Sequence, residues 1–409
     1  MKKEWEIVTL EDVCEFVDRR GVTPEKLGSR FLSDGYRVIS AKNIKGRQID
    51  TSIGEQRFVD EPTYRRWMRS PLLADDVILT SEAPLGEPAY VDEEFAWCLG
   101  QRLFGIRTVK SRLHGRFLFY ALQASPVRDD MLSRATGATA QGIRQAELKK
   151  IQLPLPSVVE QHRIVGILDE AFDGLATVTA NAEQNLKNTR AVFESHLQSV
   201  FTQRGKGWVE KQLKEVLAVQ PQNGWSPPAA NHADSGTPVL TLSAVTGFVF
   251  RPDKIKFTSA VTDSRARYWV RNGDFLITRS NTPELVGHVA IASGIKKPTI
   301  YPDLIMRMNP DPTKVITEFL YYQMRTPELR KEITGRAQGA NPTMKKVSNE
   351  AVRTLPICVP PISEQHRLVD QLDTLAVETQ RLEAIYRQKL AALGELKKSL
   401  LHQAFNGKL

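Results

Sequence analysis

LPLPSVVEQHRIVGILDE (residues 153–170) and LPICVPPISEQHRLVDQLDT (355–374) decide how this chain is organised. The shared Glu160-Gln161-His162-Arg163 returns as Glu364-Gln365-His366-Arg367, 204 residues later in a chain of 409. From Glu160 to Phe201 that offset holds without a gap: Leu168-Asp169 meets Leu372-Asp373, Ser195 meets Ser399 and Phe201 meets Phe405. Ahead of these stretches the repeat continues at slightly different offsets. Trp5, Leu10 and Val13 recur as Trp208, Leu213 and Val216. DDVILTS (75–81) is echoed by GDFLITRS (273–280), YRRWMR (64–69) by RARYWVR (265–271), and RATGA (134–138) by RAQGA (336–340). So long a period lies far beyond the roughly 20–50 residues of solenoid repeats, so the chain is a duplicated domain-plus-helix unit rather than a repeat array.

The repeated stretches open long helices. Ser157-Val158-Val159-Glu160 fits a capping box, in which serine and glutamate satisfy orphan amides at a helix start. Pro360-Pro361 gives the second copy a rigid start. A heptad runs through Ile164, Leu168, Ala171, Leu175, Val178, Ala182, Asn185, Thr189, Val192 and His196. Its counterpart is Leu368, Leu372, Leu375, Thr379, Leu382, Tyr386, Lys389, Leu393, Leu396 and Leu400. A mostly apolar seam at this period predicts a coiled coil, with Leu168, Leu175, Asn185, Leu372, Leu382, Lys389 and Leu393 pairing the helices. Asn185 and Lys389, polar at equivalent positions, read as register devices or contacts to another helix. At 1.5 Å per residue, helices of about 44 residues span roughly 65 Å, longer than one small domain needs.

Around the helices, runs such as YRVISA, DVILTS, PVLTLSAV, GFVF and GDFLIT read as short strands, and GRFLFYALQAS and ITEFLYYQMRTPEL have helical spacing. The expected fold is therefore α+β. Residues 1–156 and 206–357 are two mixed globular domains, and 157–205 and 358–409 are a central and a C-terminal helix.

Composition bounds the function. With 41% hydrophobic and 25% charged residues the chain reads as soluble and globular. No apolar run reaches the roughly 18 residues of a membrane span, and acids interrupt MKKEWEIVTLEDV too early for a signal peptide, so a cytoplasmic protein is expected. Cys14, Cys98 and Cys358 are odd in number and widely spaced, which fits packing rather than disulfides or metal binding. The net charge of +9 is uneven: residues 205–354 hold 21 basic against 13 acidic side chains, residues 1–150 hold 24 against 22. A basic globular segment points weakly to a polyanion partner.

Catalytic constellations are missing. Asn309-Pro310-Asp311-Pro312 lacks the aromatic residue of an amino-methyltransferase turn. The glycines of TGATAQG do not lead a strand into a helix, and Pro252-Asp253 and Pro302-Asp303 lack the Asp/Glu-x-Lys follower of a metal-dependent nuclease. No phosphate-binding Gly-x-x-x-x-Gly-Lys-Ser/Thr occurs. His162 and His366 each stand without a second histidine at helical spacing, which favours a structural hydrogen bond over a metal. The arginine-aromatic clusters read equally as solvated faces or as phosphate contacts. RATGATAQGIRQ and RAQGANPTMKK combine glycine, hydroxyls, amides and bases, suited either to a groove or to a solvated loop.

The layout, the two EQHR helix starts, the terminal FNGKL and starts of the form W..V.L.DV together resemble the specificity subunit of Type I DNA restriction-modification enzymes. The resemblance covers the whole chain. It implies two pseudo-twofold-related target-recognition domains held apart by antiparallel coiled-coil helices, each domain reading one half of a bipartite, asymmetric target in double-stranded DNA. It implies a non-catalytic chain that docks two modification (methyltransferase) subunits and, through the complex, restriction (translocase/endonuclease) subunits. S-adenosylmethionine, Mg and ATP would sit on those partners and none on this chain. The expected DNA contacts are Lys42, Asn43, Arg65, Arg69, Arg102, Thr139, Gln141 and Arg144 in the first domain. In the second they are Ser243, Arg265, Arg267, Arg279, Asn281, Asn341, Thr343 and Lys345. Two other readings stay open: a helix-linked adaptor for protein or RNA, and a specificity subunit of a methyltransferase without a restriction partner.

Overall fold

The computed structural model of the chain describes residues 5–137, 141–339 and 343–409. They divide into two compact units, one of residues 1–183 with 388–409 and the other of residues 184–387.

Each unit is built on a four-stranded antiparallel sheet of the same order. In the first, Cys14–Asp18 pairs with Leu103–Thr108, which pairs with Val77–Thr80, which pairs with Pro88–Tyr90. In the second, Leu217–Asn223, Ile305–Pro310, Phe275–Thr278 and Val289–Ile291 follow each other alike. The central strands VILT and FLIT are buried on both faces because alternate side chains serve different cores. Val77 and Leu79 join the cluster around Phe104, Phe117 and Leu168, whereas Ile78 joins the one around Ile39, Trp67 and Leu99. Phe275 and Ile277 are divided from Leu276 in the same way in the second unit. Each unit has a second sheet with a parallel pair, three-stranded around Tyr36–Ile39 with Cys98–Leu99 and five-stranded around Thr237–Leu240 with Thr299–Ile300. The helices expected from GRFLFYALQAS and ITEFLYYQMRTPEL are Gly115–Ala121 and Thr317–Gln323. GFVF, expected as a strand, is a turn, with Gly247 at φ +86° and Phe248 at φ +61°. YRRWMR belongs to the helix Glu61–Trp67, but RARYWVR forms a turn leading to the strand Trp269–Val270. The three cysteines are buried and free.

A strand pair closes each domain where its helix begins. Glu6–Thr9 pairs with Gln152–Leu155, and Val209–Gln212 with Pro356–Val359. The helices that follow are Val158–Thr202 and Ile362–Phe405. Ser157 Oγ accepts the Glu160 amide at 3.3 Å, but the Glu160 carboxylate turns to Arg163, so only half of the capping box forms. The buried member of EQHR is the glutamine. Gln161 Oε1 accepts the His114 amide at 2.8 Å while its Nε2 donates to the carbonyls of Arg112 and Pro156. Gln365 repeats this with the Ile316 amide and the carbonyls of Lys314 and Pro360. His162 and His366 are exposed.

Within each unit the two helix segments run antiparallel. Arg163 reaches the carbonyl of Leu409 in the first, and Lys397 lies over the ring of Phe172. In the second, Arg190 pairs with Glu383, while Leu197 and Phe201 share a core with Leu368 and Leu372. The seam differs from the predicted one by one residue in phase, identically in both helices. Leu168, Leu175, Ala182 and Thr189 face inward as expected, as do Leu372, Thr379, Tyr386 and Leu393. The alternate positions, however, are Phe172, Thr179, Leu186 and Phe193, and Ala376, Glu383, Leu390 and Lys397. Asn185, Leu382 and Lys389 are therefore exposed and are not seam residues. The inward residues step by four and then three from Leu168, where the sequence reading stepped by three and then four. Apolar residues at both choices, Ala171 beside Phe172 and Val192 beside Phe193, made the two phases look alike.

Candidate nucleic-acid interface

In the first unit the strand Val77–Thr80 runs out into Ser81–Glu82, and the loop after Ser125–Ser133 folds back onto it. Thr136 and Gly142 exchange backbone hydrogen bonds at 2.9 Å, and the Ile143 amide donates to Ser81 at 3.0 Å. The Ser81 amide donates in turn to the Arg102 carbonyl at 2.8 Å. These bonds gather Arg102, Gln141 and Arg144 at one end of the sheet. Arg102 and Arg144 line a cleft of about 460 Å³ together with Arg20, Glu82 and Gln101. On the other side of Arg102, Lys42 and Arg57 line a second cleft of about 450 Å³. Arg102 is left-handed at φ +67°, a conformation that costs a side-chain-bearing residue energy and marks a constrained position. Its guanidinium meets Glu82 at 3.0 Å, and Arg20 is held by Asp18 at 2.7 Å. Lys42 and Arg144 are exposed and, among the described residues, have no carboxylate partner.

The second unit docks its loop in the same way. Gln338 and Lys346 exchange backbone bonds at 2.8 and 2.7 Å, the Val347 amide donates to Arg279, and Ser280–Asn281 pairs with Lys345–Lys346. Asn281 and Lys345 are thereby partners on paired strands, with Arg279 at the bend just before them. Asn281 donates to Thr246 at 3.3 Å, which brings the turn bearing exposed Ser243 alongside, and Arg251 braces that turn through the Ser243 and Thr246 carbonyls. Lys345 is tethered to the Gly339 carbonyl at 2.9 Å, and Thr343 is exposed.

Several expected contacts fall elsewhere. Asn43 is 5% exposed and binds internally, accepting from the Ser40 amide and donating to the carbonyls of Asp50 and Ile53, so it staples its own loop and offers no base-reading donor. Arg65 is paired with Glu61 on its helix, and Arg69 is exposed beyond that helix; neither lines the two clefts. Arg265 and Arg267 are exposed on the turn ahead of Trp269, pinned by Asp263. Thr139 and Asn341 lie outside the described residues. Arg20, Arg57, Gln101 and Arg251 join the surfaces unannounced by sequence, since loop packing alone brings them there. Among the described residues no cluster of metal-ligating side chains occurs, and no helix is long and apolar enough to cross a membrane.

A family model described as the Type I restriction modification DNA specificity domain matches residues 2–188 and again 205–390. The chain is 24% identical to the Type I restriction enzyme EcoKI specificity subunit of Escherichia coli (strain K12), with 99% of this chain and 89% of that protein covered. A solved structure from work on complex assembly and conformational transition of the type I R-M system is similar at a TM-score of 0.76, with 20% identity and 100% and 99% of the two chains covered. The HsdS subunit from Thermoanaerobacter tengcongensis is similar at a TM-score of 0.58, with 21% identity and 100% and 98% covered.

Proposed function

The chain belongs to the family of Type I restriction modification DNA specificity domains and is a specificity subunit with two target-recognition domains, and from that premise we propose how it reads its target. Residues 1–156 and 206–357 each take one half-site of a bipartite sequence in double-stranded DNA. The observation that carries this is the twice-built loop docked beside the same sheet end, with different side chains on a common backbone plan. Arg102, Gln141 and Arg144 stand in one copy, and Arg279, Asn281 and Lys345 in the other. A common scaffold with divergent donors suits the reading of unlike half-sites, since base edges discriminate through side-chain hydrogen bonds while the frame positions them. The helices dock two modification subunits, restriction subunits join that complex in the cytoplasm, and the chemistry belongs to those partners with their S-adenosylmethionine, Mg and ATP.

Exchanging residues 206–357 for the corresponding domain of a relative, followed by co-expression with the modification subunit and genome-wide mapping of methyladenine, tests the reading. One half of the methylated motif should change and the other persist. An unchanged motif would overturn it and leave an adaptor without DNA specificity.

A further inference from the structure

We propose that the first unit holds a binding cleft for a nucleotide-class ligand, a planar amino-bearing ring with a single phosphate, and that the duplicated position in the second unit is filled by side chains. The cleft measures about 580 Å³, within the range of small-molecule sites, and lies where the first domain meets its own helix segments. Arg47, Trp97, Gln123, Phe172 and Lys397 line it.

Three features point to one ligand chemistry. Arg47 and Lys397 face the cleft, and among the described residues neither has a carboxylate partner; burial, and then the charge of Arg47, holds Lys397 below the usual lysine range. Two cations in a half-buried cleft with no carboxylate at ion-pair distance among the described residues, Lys397 resting on the Phe172 ring, are stabilised by an anion. Gln123, 7% exposed, donates through Nε2 to the Phe119 carbonyl at 2.8 Å, while its buried Oε1 has no hydrogen-bond partner among the described residues. That orphan acceptor calls for an N–H or O–H donor. Phe95 and Trp97 are stacked at 3.9 Å with planes 5° apart, and with Phe172 they supply apolar walls for a flat ring. Asp92, Glu93 and Asp173, exposed in the lining, disfavour a longer polyphosphate.

The duplication supplies an internal comparison. Arg47, at φ +68°, corresponds to Phe248 at φ +61°, each directly after a left-handed glycine. Gln123 corresponds to Arg325, Lys397 to Phe193 and Phe172 to Ala376. In the second unit Arg325 lies over the rings of Phe193 and Phe248 at 4.8 and 5.4 Å, and the space left is about 140 Å³. The same backbone is thus packed shut in one copy and open, charged and aromatic in the other.

Titration of the purified full chain with AMP, by calorimetry and by thermal shift, tests the proposal. One site per chain is expected, with ATP weaker and inorganic phosphate a weak competitor. Arg47→Gln, Lys397→Met and Gln123→Leu should each weaken AMP by about tenfold, and leave the methylated motif unchanged in cells. Lys397→Met, which keeps an unbranched chain of similar length at a half-buried helix position, keeps the test valid should another variant fold poorly. Absence of saturable AMP binding at millimolar concentration, equal binding by folded variants, or displacement of AMP by target duplex DNA would each overturn it.

Discussion

The side-chain oxygen of Gln161 accepts the backbone N–H of His114 at 2.8 Å, tying the first turn of the first long helix to the loop ahead of Gly115–Ala121. With its amide given to two carbonyls, Gln161 acts as a buried substitute for a peptide group, and Gln365 does the same in the second unit. Gln161→Leu keeps the volume but strands one amide and two carbonyls. The cost should be about 3 kcal/mol, since each buried orphan costs roughly 1–3 before water partly relieves it. Urea unfolding of Gln161→Leu and Gln365→Leu should show losses of similar size, and a loss below about 1 kcal/mol would make the glutamines incidental.

The role of Gln161 was not legible in EQHR because its partners, the peptide groups around Arg112 to His114, lie 47 to 49 residues earlier and only the fold brings them near. The duplication was legible because the helices share an uninterrupted offset. The domain class followed from strands such as VILT, whose burial on both faces leaves an unbroken apolar run. At the interface, composition singled out Arg102, Arg144 and Lys42, which do line neighbouring clefts. It equally singled out Asn43, because an asparagine suited to a base edge is also suited to stapling a turn. Nothing local distinguishes the two; the internal hydrogen bonds of the Asn43 side chain do.

The corrected seam makes adjacent residues behave in opposite ways. Phe193 is 6% exposed and packs in the second unit's core, whereas Val192 is 53% exposed. Phe193→Ala should cost about 3–5 kcal/mol through lost burial and the cavity left behind. Val192→Ala should change stability by less than about 0.5 kcal/mol. Thermal unfolding of the two variants compares them directly, and the reverse order would restore the original phase.

His288 is 8% exposed; its Nδ1 accepts the Gly247 amide at 2.9 Å and its ring stacks on Phe248. Burial, and then Arg330, pushes its pKa down from 6.5 to about 4. Because the folded value is the lower one, the unfolded chain takes up this proton first as pH falls. The contribution of neutral His288 is therefore complete above pH 6.5 and disappears progressively toward pH 4, a loss of about 3 kcal/mol. His288→Gln, which keeps an acceptor for Gly247 and cannot titrate, should flatten that part of the stability profile. Parallel pH profiles for the two proteins would exclude the assignment.

Arg102 and Arg144 line one cleft but should fail differently when truncated. Arg102 is pre-set by its left-handed backbone and by Glu82, the posture of a base reader, whereas Arg144 and Lys42 are exposed cations without carboxylate partners among the described residues, suited to phosphate. Arg102→Ala should relax the methylated motif at one position, at about 1–3 kcal/mol of discrimination. Arg144→Ala and Lys42→Ala should weaken all sites alike, and each should lower the slope of log K against log salt by about 1. Asn43→Ala should do neither: with its donors and acceptor spent inside the loop, it should lower the unfolding midpoint and leave the motif intact. Motif mapping together with binding across a salt series separates the three outcomes. A relaxed motif in Asn43→Ala, or an unchanged one in Arg102→Ala, would move base reading away from the clefts around Arg102.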